Sequence, residues 1–150
     1  MRKEEIDRRI ELIRDYVENN GKGKLDAEFK EEWADALESG KYKQATGYLC
    51  EVERGKKPGF CCLGVAYDIS EDAHWILEGE YWEGQSTWRY GVPDQRFEKD
   101  DERAAMNTMN LPEWVSDDVN LTDFVKSQLA DANDSGATFK QLARMIREAL

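Results

Sequence analysis

Apolar residues recur with helical spacing near both ends of the chain and alternate in the stretch between. Ile6, Ile10, Ile13 and Val17 fall at i, i+4, i+7 and i+11, one stripe of an amphipathic helix within the N-terminal segment 1–20. Asn19-Asn20-Gly21-Lys22-Gly23-Lys24 ends it. Asp26 is placed to cap a second helix running to about Ser39, with Phe29, Trp33, Ala36 and Leu37 inward and Gly40 as its stop. The period then changes. Tyr48, Cys50 and Val52 alternate with Leu49, Glu51 and Glu53, as in a half-buried strand. Arg54-Gly55-Lys56-Lys57-Pro58-Gly59 gathers turn formers, and Phe60-Cys61-Cys62-Leu63 returns as an apolar run, giving a hairpin over 46–63. Gly64-Val65-Ala66 lets the backbone pass close to a neighbour and opens a short apolar helix ending near Ser70. Residues 42–70 thus read as a hairpin–helix core.

The second half is patterned less regularly. Residues 74–90 hold three of the five Trp, and Tyr81-Trp82 and Thr87-Trp88-Arg89-Tyr90 read as short strands extending the hairpin. Ala104, Ala105, Met106 and Met109 suggest a short helix, and Leu111-Pro112 and Asp117-Asp118 bracket another turn around Trp114. Asn120 is the expected cap of a helix over 121–131, with Leu121, Phe124, Val125 and Leu129 inward. Asn133-Asp134-Ser135-Gly136 makes a tight turn. Thr138 and Gln141 then form a capping box for a last helix over 138–149, lined by Phe139, Leu142, Ala143 and Ile146. There is no repeat, low-complexity tract or linker. The order predicts a single α+β domain over 1–150, a small antiparallel sheet built on the hairpin and covered by several helices.

Charge narrows the partners. The chain carries 32 Asp+Glu against 21 Lys+Arg, net −11. Such a surface repels phosphate backbones and anionic lipid, so direct nucleic-acid binding and membrane association are not expected. The opening MRKEEIDRRIELIRDYVENN is too charged for a signal peptide, and no apolar run approaches a membrane span. Cys61 and Cys62 are adjacent and poorly placed to bridge, and three cysteines is an odd number, so a reducing cytoplasm is the expected location.

Trp33…Ala36-Leu37…Gly40…Tyr42…Gln44…Gly47…Leu49…Phe60-Cys61-Cys62-Leu63-Gly64-Val65, with Asp68 after it and Asn133-Asp134-Ser135-Gly136-Ala137-Thr138-Phe139 as a close, is a distinctive set of spacings. It resembles small uncharacterised phage and prophage proteins with the pattern W-x-x-AL-x-SG-x-Y-x-Q…CCLGV-x-x-D…ND-x-G-x-SF, here with Thr for Ser. The resemblance spans roughly 30–147 and departs in the charged N-terminal helix and the Trp-rich middle. It implies a phage-type accessory protein in a bacterial host cytoplasm, of a class that opposes host immunity by binding host proteins or sequestering nucleotide signals. It brings no reaction with it.

Candidate chemistry is sparse. Cys50, Cys61, Cys62 and His74 are the only soft ligands and lack the loop spacing of a zinc site, so neither metal nor cofactor is expected. No nucleophile elbow, phosphate-binding glycine loop or His-Glu-x-x-His motif is present; paired carboxylates such as Asp68 and Asp134 could do acid–base work in a small hydrolase, though among 32 acidic residues some pair always looks suitable. A binding protein is easier to motivate. Tyr42 and Gln44, the aromatics Trp82, Trp88 and Tyr90, and Asn133, Asp134 and Thr138 before a helix N-terminus could surround a nucleotide-like ligand. Alternatively, Asp100, Asp101, Glu102, Asp117 and Asp118 dock on a basic host protein in place of nucleic acid. A homo-oligomer is compatible with either reading.

Overall fold

The computed structural model describes residues 1–70, 73, 75–77, 87–93, 106–107, 109, 111, 115 and 119–150, with the backbone alone at 77, 88, 93, 106 and 107. Among these residues the chain forms a single α+β domain of five helices and six short strands: α1 (Lys3–Asn20), α2 (Ala27–Glu38), β1 (Lys43–Gln44), β2 (Cys50–Glu53), β3 (Gly59–Phe60), α3 (Cys62–Asp68), β4 (Ile76–Leu77), β5 (Thr87–Pro93), β6 (Met106–Asn107), α4 (Asp123–Asp134) and α5 (Phe139–Ala149).

The helices follow their apolar stripes. Ile6, Ile10 and Ile13 of α1, Trp33 and Leu37 of α2, and Leu142, Met145 and Ile146 of α5 are buried together. Helix α5 lies against both α1 and α2, while α3 packs on α2 and α4. The Asp26 carboxylate accepts from the Phe29 N–H at 3.1 Å, and Thr138 and Gln141 form the expected reciprocal box at the start of α5. Asn120 does not cap α4. Thr122 does, accepting from Val125 N–H at 3.4 Å, and Asn120 instead adopts a left-handed φ of 58° and donates to the Lys24 carbonyl. A short polar side chain tolerates that turn conformation, so Asn120 closes the loop before the helix. The helix accordingly runs 123–134, later than 121–131.

The sheet differs from the antiparallel one expected. Its order is β1-β3-β2-β5-β4, with β6 on the far end of β5; β1 pairs parallel to β3 and every other described pair is antiparallel, so the sheet is mixed. The hairpin is present but shorter than 46–63. Its return strand stops at Phe60 because Cys61 is already the N-cap of α3. Met106–Asn107, within the expected short helix, pairs instead with Val92–Pro93, where edge pairing on β5 overrides the helical preference of Met, while Ala104 and Ala105 lie outside the described residues. Strand β5 extends the sheet as expected, whereas Tyr81-Trp82 and the turn at Trp114 lie outside the described residues.

Opposed residues share a face, so register aligns Phe60, Cys50 and Tyr90 in one row on the side covered by α3. Glu51 and Arg89 sit opposite one another on the other side, 3.5 Å apart, and the Arg89 guanidinium lies 3.8 Å over the Tyr48 ring. Helix α3 is pressed onto the strand before it. A Cβ at Gly64 would run into the Leu49 carbonyl, which also accepts from the Cys61 N–H at 3.3 Å. Gly64→Ala should therefore cost about 1–3 kcal/mol in urea unfolding, as overpacking does. Gly40→Ala, at φ +76° with no neighbour near, should cost about 1 kcal/mol. A neutral Gly64→Ala would contradict the close approach.

Candidate functional site

Polar residues of the motif gather in two clusters, one at each end of α3. At the N-terminal end stands Asn133, 1% exposed. Its Oδ1 accepts from Gln44 Nε2 at 3.0 Å and from the Cys62 N–H at 3.3 Å. Its Nδ2 donates to the Ala45 carbonyl at 2.9 Å and to Asp134 Oδ1 at 3.1 Å. Gln44 is equally engaged, donating to the Ala137 carbonyl at 2.7 Å and accepting from the Phe139 N–H at 3.2 Å. Asp134 also accepts from the Gly47 N–H at 3.0 Å. One amide pair thus joins β1, the start of α3 and the α4–α5 turn.

This arrangement changes the reading of four candidate residues. An anion at the α5 N-terminus needs free N–H groups. Here the Phe139 N–H goes to Gln44, the Thr138 N–H to Gln141 Oε1 at 3.0 Å, and the Gln141 N–H to the Thr138 hydroxyl at 3.2 Å. Gln44, Asn133, Asp134 and Thr138 therefore use these polar groups inside the fold.

At the other end of α3 the geometry is more open. Asp68, the last residue of the helix, is half-buried. The Tyr42 hydroxyl donates to its Oδ2 at 2.6 Å and the Trp75 indole N–H to its Oδ1 at 2.9 Å. Phe60 meets Tyr42 edge-on at 5.1 Å between ring centroids, and Trp75 meets Phe60 at 5.9 Å and Tyr67 at 4.8 Å, also edge-on. Burial, reinforced by the bond to the Asp68 carboxylate, pushes the Tyr42 phenol far above its ordinary value and keeps it a donor. An ionised carboxylate has about four acceptor positions, and among the described residues only two are taken here, both by neutral donors.

The remaining candidates fall in different places. Tyr90 is half-buried on the Phe60–Cys50 row, and Trp88 lies on β5 with its backbone opposite Val52. Trp82, His74, Asp100, Asp101, Glu102, Asp117 and Asp118 lie outside the described residues. Asp68 and Asp134 are held in separate networks, so the described bonds do not join them as an acid–base pair. The sequence gives no sign of Phe60 as the ring partner of Tyr42 or of Trp75 as a donor to Asp68. The only available signal was that Tyr42 and Asp68 share a motif, which gives no contact.

A family model for a domain of unknown function, DUF8296, matches residues 25–150. The chain belongs to that family. Both clusters around α3 lie within the matched span, whereas α1 precedes it. No curated protein and no solved structure matches the chain. Among the described residues no helix is long and apolar enough to cross a membrane.

The three cysteines are buried and unbridged. Cys61 Sγ accepts from the Gly64 N–H at 3.4 Å, and Cys62 Sγ donates to the Leu129 carbonyl at 3.6 Å. Burial, first among the causes, pushes Cys50 up to about 12 and Cys61 up to about 11, and raises Cys62 well above the usual thiol range. Neutral thiols are poor nucleophiles. A raised thiol pKa stabilises the fold fully below the unfolded value of about 8.5, and that contribution fades as pH climbs through 11 and 12. Iodoacetamide at pH 8 should accordingly leave all three thiols unlabelled in the native protein and label them after urea unfolding. Unfolding midpoints in urea should fall above about pH 9. Rapid native labelling would contradict this picture.

Proposed function

We propose that the chain is a phage-type accessory protein that binds a small nucleotide-like ligand without transforming it, and that it counteracts host defence by removing that ligand from circulation in the bacterial cytoplasm. The observation that carries the binding part is the Asp68 corner: a half-buried carboxylate that takes two neutral donors from the described residues, bordered by Tyr42, Phe60 and Trp75. A planar ligand with N–H donors finds both hydrogen-bond acceptors and flat apolar surface there. Capture without chemistry is supported by the protonated, buried state of all three thiols, which removes the obvious nucleophiles. The accessory role in a phage rests on the motif around Tyr42, Gln44, Cys61-Cys62 and Asn133-Asp134.

The acidic alternative draws on the net charge of −11 and on exposed Glu4, Glu11, Asp15 and Glu18 along α1. In that case a basic protein is held by surface charge, and Lys replacements at Asp100, Asp101 and Asp117 would dissolve a salt-sensitive complex.

Native mass spectrometry of freshly purified protein, set against the same sample after denaturation, separates the two. Sequestration predicts a stoichiometric small mass lost on denaturation, and its absence from an Asp68→Asn variant that still melts cooperatively. A bare mass in the parent protein would overturn capture of a tightly held ligand.

A further inference from the structure

Of the six asparagines in the chain, only Asn20 is followed by glycine. Asn19, Asn107, Asn110, Asn120 and Asn133 precede Asn, Thr, Leu, Leu and Asp, whose side chains crowd the next peptide nitrogen. Glycine leaves that nitrogen open and lets the backbone turn toward it. Attack of the Gly21 nitrogen on Asn20 Cγ closes a five-membered ring, an intramolecular step favoured by proximity. The N–Cγ bond forms as Cγ–Nδ2 breaks, and Nδ2 leaves as ammonia with the proton of the Gly21 amide. Water then opens the imide at either carbonyl. The product is an aspartate at position 20, or an isoaspartate whose backbone runs on through the side-chain carbonyl. From this chemistry and its place in the fold we infer that Asn20 is a site of spontaneous deamidation, and that the hydrogen bonds closing α1 set its rate.

In the closed helix end both reacting groups are held. The Gly21 N–H donates to the Val17 carbonyl at 3.0 Å, and Asn20 Nδ2 donates to the Tyr16 carbonyl at 2.9 Å. Reaction therefore waits for the last turn of α1 to open. Little opposes that opening: Asn19, Asn20 and Gly21 are exposed, and nothing stands within 4 Å of where a Gly21 Cβ would lie. The deep anchors Ile6, Ile10 and Ile13 sit earlier in the helix and stay buried. Either product then keeps the turn open. A carboxylate at position 20 cannot donate to the Tyr16 carbonyl, and its charge falls at the negative end of a helix whose last turn holds no basic residue. The isoaspartate adds a carbon to the backbone before Gly21 and shifts its N–H from the Val17 carbonyl. Deamidation thus loosens, irreversibly, the end of the one helix that precedes the family span.

Incubation of the full chain for days at pH 8, folded and in urea, followed by mass spectrometry and peptide mapping, tests this on the unaltered protein. The folded chain should gain about 1 Da, the difference between an amide and a carboxyl, and the gain should map to Asn20. It should appear several-fold more slowly than in urea, and Asn20→Gln should suppress it. In the aged protein the Gly21 amide should exchange hydrogen several-fold faster than in fresh protein, with the Ile10 and Ile13 amides unchanged. A folded chain that gains no mass while the urea sample does, or whose gain maps to another asparagine, overturns the site. Equal rates folded and in urea overturn the control by the end of α1.

Discussion

A buried amide is tolerated only when each of its donors and acceptors finds a partner, and Asn133 fills all four positions from three different parts of the chain. That requirement fixes more than one side chain. The Cys62 N–H belongs to the first turn of α3, where no carbonyl within the helix can accept it, so Asn133 Oδ1 supplies what the helix cannot. The Ala45 carbonyl and the Gln44 amide belong to the end of β1, which follows a left-handed turn at Gly40. Position, orientation and register of the parallel β1–β3 pair are therefore tied to one residue in the last turn of α4. Removing the amide would strand several buried polar groups together, each costing about 1–3 kcal/mol when left unpaired.

Charge organises the outer layer in a comparable way, with less energy per contact. Arg147 of α5 meets Glu31, Asp35 and Glu38 of α2 at 3.3, 2.8 and 2.6 Å. Arg144 reaches Asp7 of α1 at 2.7 Å, and the buried Arg9 joins Glu5 to Asp131 of α4. Exposed pairs of this kind contribute little singly and are weakened by salt. Their placement still matters for a chain of net charge −11. Acidic faces of α1 and α2 would repel one another around α5 if its arginines did not stand between them.

The helices were legible in the sequence because their signals are local: the stripe from Ile6 to Val17, the Asp26 cap and the Thr138–Gln141 box each lie within a few turns of chain. The sheet was legible only in outline. The parallel placement of Lys43–Gln44 beside Gly59–Phe60 depends on contacts across some ninety residues, through Gln44 and Asn133, and no periodicity reports them. Asn120 and Met106 depart from their local signals for the same reason: the loop to Lys24 and the edge of β5 decide their conformations. Polar motif residues read as candidates for ligand contact because nothing local distinguishes an amide that binds a ligand from one that holds a turn. The structure separates them by their bonds: Gln44 and the enclosed Asn133 tie β1 to α3 and α4, while Asp68 holds only Tyr42 and Trp75 among the described residues. One motif thus carries both a brace and a candidate recognition surface, set at opposite ends of α3.

The brace is the part on which everything else rests, because Asp68 is held in place by a helix whose first turn Asn133 secures. A double-mutant cycle between Gln44→Ala and Asn133→Ala, followed by urea unfolding, tests it most directly. If the two amides act as one unit, the double variant should be less destabilised than the sum of the singles, with a coupling of about 1–2 kcal/mol. Effects that add within about 0.3 kcal/mol would mean the two side chains stabilise the fold independently, and the account of α3 as braced by a single polar network would be wrong.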